Sequence, residues 1–120
     1  MSNPVPHFEI GGKDIDKLIE FYSEVFDWQI TPLVDELYIA DPHSKIGIQG
    51  HLFQIDNNED FDNLVLIYIT VNDIFETLKS VEQLGGEIII KPQEIPGNAS
   101  HYALFNDRSG NSIGLLQTRL

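Results

Sequence analysis

A duplication constrains this chain more than any other feature of its sequence. His7-Phe8-Glu9-Ile10-Gly11-Gly12-Lys13-Asp14 has the same layout as Leu66-Ile67-Tyr68-Ile69-Thr70-Val71-Asn72-Asp73. Each copy reads as a short alternating strand, a turn, and an aspartate that opens a helix. His7 therefore corresponds to Leu66 and Asp14 to Asp73. A repeated unit with one helix covers one face of its sheet and leaves the other face needing a partner, water or a ligand.

The first copy sets the pattern. Phe8 and Ile10 point one way, and His7, Glu9 and Gly11 the other, because side chains alternate along a strand. Asp14 is a good N-cap and Asp16 adds negative charge to the first turn. Ile15, Leu18, Ile19, Tyr22, Val25 and Phe26 share one helical stripe, which predicts a helix over 14–26. Strands are expected at 28–31 (stopped by Pro32), 36–40 and 45–54. The last puts Ile46, Ile48 and Leu52 on one face and Gly47, Gln49, His51 and Phe53 on the other. Residues 56–63 hold four acids and three asparagines and read as a linker.

The second copy repeats the order. A strand over 64–71 leads to Asp73, which caps a helix with Ile74, Leu78, Val81 and Leu84 on one stripe. Gly85-Gly86 ends it. Strands follow at 87–91 (closed by Pro92), 101–106 and 112–117, with a loop over 92–97 and a turn at Asp107–Asn111. Ile46-Gly47-Ile48 after the turn at Asp41 matches Ile113-Gly114-Leu115 after the turn at Asp107. The fold class is α+β: one domain over 1–120, built from two tandem βαβββ modules. The first spans about 5–55, the linker 56–63 and the second about 64–118. The two sheets are expected to form a cup lined by the face of His7, Gly47, Leu66 and Gly114.

Charge narrows the partners. Seven basic and 19 acidic residues leave a net charge of -12, which repels nucleic acid and anionic lipid and attracts small cations. The chain contains no cysteine; disulfides, thiolate metal sites and cysteine nucleophiles are excluded together. No 18-residue apolar run and no leader-like start is present, so a cytoplasmic location is expected.

The arrangement resembles the vicinal oxygen chelate superfamily, which includes glyoxalase I, bleomycin-resistance proteins, extradiol dioxygenases and fosfomycin-resistance enzymes. The resemblance rests on His7-Phe8-Glu9-Ile10 before Asp14; Phe21-Tyr22 with Val25-Phe26-Asp27-Trp28; Val71-Asn72-Asp73-Ile74; Leu84-Gly85-Gly86; Ile95-Pro96-Gly97; and Asp107 through Leu115. It implies a homodimer. It also implies metal ligands at four positions, one on the first and one on the last strand of each half. Here those positions read His7, Gly47, Leu66 and Gly114, and only His7 carries a donor. The usual four-ligand centre is therefore not expected, and neither is glyoxalase I activity by the usual mechanism.

The leading expectation is a metal-independent small-molecule-binding protein with no resident cofactor. The two glycines would open volume in the cup. Phe53, Tyr68 and Phe105 would line it, with His7, Glu9, Gln49 and His51 as polar anchors for an aromatic or cationic organic ligand. The alternative is a divalent-metal lyase, isomerase or dioxygenase with a relocated site drawn from His7, His51 and His101. A third reading has no ligand and only a dimer surface. His7 and Glu9 are the catalytic candidates, Glu9 as a general base.

Overall fold

The computed structural model describes residues 2–95 and 100–118. Its elements follow the duplicated order. The first set is β1 (His7–Gly12), α1 (Ile15–Phe26), β2 (Gln29–Val34), β3 (Leu37–Asp41) and β4 (Gly50–Gln54). The second is β5 (Asn63–Thr70), α2 (Ile74–Gln83), β6 (Glu87–Ile95), β7 (Ser100–Asn106) and β8 (Ser112–Gln117). The fold is α+β, two βαβββ modules with two helices and eight strands among the described residues. Among the described residues no helix is long and apolar enough to cross a membrane. The chain forms two compact units, His7–Leu66 and a second that begins at Ile67 and takes in the N-terminal segment. Within that second unit, Thr70 donates its N–H to the carbonyl of Pro4 at 2.9 Å.

In the first unit the strand order is β2-β3-β4-β1. β1 and β4 run parallel, while β2–β3 and β3–β4 are antiparallel. Phe8 and Ile10 face α1, as their alternation requires. The Phe8 ring lies 5.7 Å from that of Trp28, which stacks on Tyr22 of α1 at 5.1 Å and 12°. Leu52, the partner of Ile10, is fully buried, as is Ala40. Past Tyr22 the apolar stripe of α1 emerges into solvent: Val25 and Phe26 are more than half exposed. Asp14 caps the helix through the N–H of Lys17, and Asp27, at φ 57°, ends it.

In the second unit the order is β5-β8-β7-β6, with β5 and β8 parallel. Val71, Ile74, Leu78, Ala103 and Leu115 form the core, with Ile69, Ile88 and Phe105 packed against it. The Asp73 carboxylate accepts the N–H groups of Phe75 and Glu76 and starts α2. Each unit closes its helix in the same way. Gln54 of β4 accepts the N–H of Ile15, and Gln117 of β8 accepts that of Ile74. Both side chains satisfy a first-turn N–H that has no partner inside the helix.

Three elements differ from the sequence reading. The strand expected at 45–54 begins only at Gly50. The Asp41 carboxylate takes hydrogen bonds from the N–H of His43 and from the amide of Gln49. Such local bonds compete with a strand ladder. Ile46 is 99% exposed there, so the alternation of Ile46 and Ile48 marks no buried face. Pro32 and Pro92 do not stop strands but lie inside β2 and β6. Each is the outermost strand of its unit's order, where a missing N–H is tolerated. The loop expected over 92–97 is strand as far as Ile95; Pro96 and Gly97 lie outside the described residues.

Candidate metal centre

Side-chain parity on β1 puts His7 and Glu9 on the face opposite α1. The parallel register then brings His51 in, because β4 sets it directly beside Glu9. Nδ1 of His51 lies 3.3 Å from Oε2 of Glu9, and Nε2 of His7 lies 3.5 Å from the same oxygen. The two imidazoles meet edge to face with centroids 4.4 Å apart. One donor atom from each of the three residues falls within 4.8 Å of the others. All three side chains are partly exposed, at 20%, 20% and 24%.

This donor set fits a divalent ion. Metal–nitrogen and metal–oxygen bonds of about 2.0–2.2 Å put neighbouring donors roughly 3.0–3.5 Å apart, which both Glu9 contacts meet. Two imidazoles and one carboxylate suit borderline metals such as Zn(II), Fe(II), Ni(II) or Mn(II).

The register also corrects the internal alignment. Glu9 pairs with His51 and Ile10 with Leu52. In the second unit Tyr68 pairs with Gly114 and Ile69 with Leu115. The capping glutamines Gln54 and Gln117 follow in step. His51, not Gly47, is therefore the counterpart of Gly114. Gly47 lies in the bend before β4, where an added Cβ would meet only Pro42 and Ser44 at 3.5 and 3.8 Å. The last-strand position of the first unit thus holds a histidine, and the match of Ile46-Gly47-Ile48 to Ile113-Gly114-Leu115 was four residues out.

The remaining candidates separate. Gln49 sits beside Gly47 and bonds Asp41. Phe53 shares the face of His51 and lays its ring over Gly11. Tyr68 is buried and does the same over Gly114; a Cβ there would fall 2.4 Å from the ring. That glycine accommodates an aromatic ring instead of opening volume. His101 and Phe105 lie on the α2 side of the second sheet. Phe105 packs against the core, and the His101 ring stands 6.5 Å from Phe75 of α2. His101 Nδ1 is buried with no hydrogen-bond partner. Leu66 has no donor. The sequence reading did not single out Leu37 and Ile39, which β3 sets opposite Phe53 and His51. Only the β3–β4 register could have found them.

Comparison with known proteins agrees with this architecture. The Glyoxalase/Bleomycin resistance protein/Dioxygenase superfamily model matches residues 5–115, and the chain belongs to that superfamily. A protein of Vibrio cholerae named probable lactoylglutathione lyase is 26% identical over 116 residues, covering 88% of this chain and 84% of its own. Among solved structures, a hypothetical protein from Bacillus halodurans superposes with TM-score 0.69 at 18% identity, over 100% of this chain and 97% of that one. The Mn(II)-bound glyoxalase from Novosphingobium aromaticivorans superposes with TM-score 0.64 at 15% identity, over 97% of this chain and 40% of its own.

Proposed function

We propose that this chain is a divalent-metal-dependent enzyme of the glyoxalase type, a lyase, isomerase or dioxygenase, with its ion held by His7, Glu9 and His51. The observation that carries this reading is the single oxygen, Glu9 Oε2, standing between His7 Nε2 and His51 Nδ1. Superfamily membership, the name of the Vibrio cholerae relative and the Mn(II) in the Novosphingobium glyoxalase support it. A bound ion would supply Lewis-acid polarisation to a substrate bearing neighbouring oxygens. The chain's own part is to fix three donors on one sheet face and leave the remaining coordination positions to the substrate. Glu9 brings the one negative charge of the set, so a dication held there keeps a net positive charge and favours oxygens that carry negative charge.

A metal-free organic-ligand site is the second reading. It is favoured by Leu66 and Gly114, which offer no donor at two of the four ligand positions. A thermal melt of chelator-stripped protein with Mn(II), Fe(II), Ni(II) or Zn(II) separates the two. An ion at a hundredfold excess over its dissociation constant adds about 2.7 kcal/mol. The metal reading expects a clear rise in melting temperature with at least one ion, lost in both Glu9→Gln and His51→Ala. No shift with any ion overturns it. Binding of a small aromatic cation by metal-free protein would then support the second reading.

A further inference from the structure

We propose that Asp41 is a positioning residue for the metal centre: its carboxylate closes both ends of the bend over 42–49 and so holds His51 beside Glu9. This rests on the metal-centre reading and names a residue outside the donor set on which that same site depends.

β3 ends at Asp41 and β4 begins at Gly50. The last pair between these two strands is Ala40 with Gly50. One step further along that antiparallel register, Asp41 faces Gln49. The Gln49 amide donates to Asp41 Oδ2 at 3.1 Å, and the N–H of His43 donates to Oδ1 at 2.8 Å. One carboxylate therefore grips both ends of the bend. The Asp41 side chain is 27% exposed, so these bonds are partly shielded from water. The His43 ring is in turn hydrogen-bonded to Gln29, the partner of Asp41 across the β2–β3 pair. The bend is thus anchored to two strands, and its last residue stands two positions before His51.

The anchoring matters because the segment has a second way to pair. Ile46, Gly47, Ile48 and Gln49 alternate as a strand would. A slip of one residue would turn every side chain of β4 to the wrong face, but a slip of two keeps the faces. That slip would set Gln49 beside Glu9 in place of His51. It would exchange an imidazole, which suits borderline metals, for a neutral amide. It would also put Ile48 where Gly50 lies. Gly50 is buried, and a Cβ on it would fall 2.5 Å from three carbons of the Phe8 ring. Two features therefore oppose the slip. The Phe8 ring penalises it from the α1 face, and Asp41 withholds the residues that would enter the strand.

Three variants of the full chain test this. Each is first melted metal-free to show that it folds, then titrated by calorimetry with the ion that gives the parent its largest melting shift. Asp41→Ala removes both bonds and should weaken ion binding by about tenfold or more, the scale of losing a supporting residue outside the ligands. Asp41→Asn removes the charge but keeps the clamp: its oxygen accepts from His43, and its amide donates to a turned Gln49. It should bind the ion within about threefold of the parent. Gln49→Ala keeps the charge and opens one end of the bend, and its affinity should fall between these two. An Asp41→Asn variant as weak as Asp41→Ala would assign the effect to charge and overturn the proposal. Parent affinity in Gln49→Ala would overturn it too, and that variant decides the matter if Asp41→Ala does not fold. In both cases the metal centre stands so long as His51→Ala loses the ion. Failure of the parent to bind any ion overturns the clamp and the metal centre together.

Discussion

Nδ1 of His51 lies 3.3 Å from Oε2 of Glu9 because the two residues are direct partners across the parallel β1–β4 pair. That partnership, and not the spacing of apolar-Gly-apolar triplets, decides which residue of the first unit stands where Gly114 stands in the second. The two alignments make opposite forecasts. Gly47→Ala adds a methyl in ordinary contact with Pro42 and Ser44, in an exposed bend. It should leave ion binding and stability within about 0.5 kcal/mol of the parent. His51→Ala removes one of three donors and should weaken ion binding by about a hundredfold or more. Metal titration of both variants by calorimetry checks this; a large loss in the Gly47 variant would restore the triplet alignment.

The elements were legible in the sequence where one period ran without interruption. The helices over Ile15–Phe26 and Ile74–Gln83 follow their stripes and their aspartate caps, and β7 and β8 flank the turn expected at Asp107–Asn111. The site was legible by face and not by depth. Strand parity grouped His7 with Glu9 and His51 with Phe53, and the β1–β4 register sets the two groups side by side. Parity cannot say which residue of β4 lies beside Glu9, since that depends on where the strand starts. The start was hidden because Ile46, Gly47 and Ile48 alternate as a strand would, while Asp41 ties the segment into a turn. The same limit placed His101 and Phe105 in the cup: they share a face with each other, but it is the face that meets α2.

Gln54 connects the site strand to the helix. Its Oε1 accepts the N–H of Ile15 at 3.2 Å, and its Nε2 donates to the carbonyls of Lys13 at 2.7 Å and Ile55 at 2.9 Å. Replacing it by alanine strips three partly buried backbone groups of their partner. Gln54→Ala should cost about 2–3 kcal/mol. Gln54→Glu keeps the acceptor but sets a carboxylate against two carbonyls, and should be no better. Gln117→Ala, which removes the bond to Ile74, should cost about 1 kcal/mol. Urea unfolding midpoints at constant slope measure all three; a neutral Gln54→Ala would show that the bonds are replaced by water.

Gly114 and Tyr68 form a similar fitted pair in the second unit. An alanine Cβ at 114 would lie 2.4 Å from two carbons of the Tyr68 ring, which is buried and cannot swing away freely. Gly114→Ala should therefore destabilise by about 1–3 kcal/mol through overpacking. Tyr68→Ala should cost about 3–5 kcal/mol through the cavity it leaves. Together they should cost less than the sum, because the methyl group enters space the ring vacates. A double-mutant cycle from denaturant unfolding reads the coupling; strict additivity would mean the ring and the glycine do not share that space.

The turn that feeds β8 carries a pH dependence of known sign. The Asp107 carboxyl is held below its ordinary value of 3.8, first by the side-chain amide of Asn111 and then by that residue's N–H, with the N–H groups of Ser109 and Gly110 adding to both; partial desolvation opposes them. The amide stands 3.0 Å from Oδ2, and the N–H groups of Ser109 and Asn111 each stand 2.9 Å from Oδ1. A carboxyl depressed in the folded state stabilises it above the unfolded value, and that contribution fades as pH falls through the lower folded value. The melting temperature of the parent should therefore exceed that of Asp107→Ala by a steady margin from about pH 5 to pH 8, and the margin should shrink as pH falls below about 4. Asn111→Ala should shrink it as well, by removing the largest cause of the shift. Paired melts across that range decide the point, and a margin that keeps its full size in acid would assign the turn's stability to backbone geometry alone.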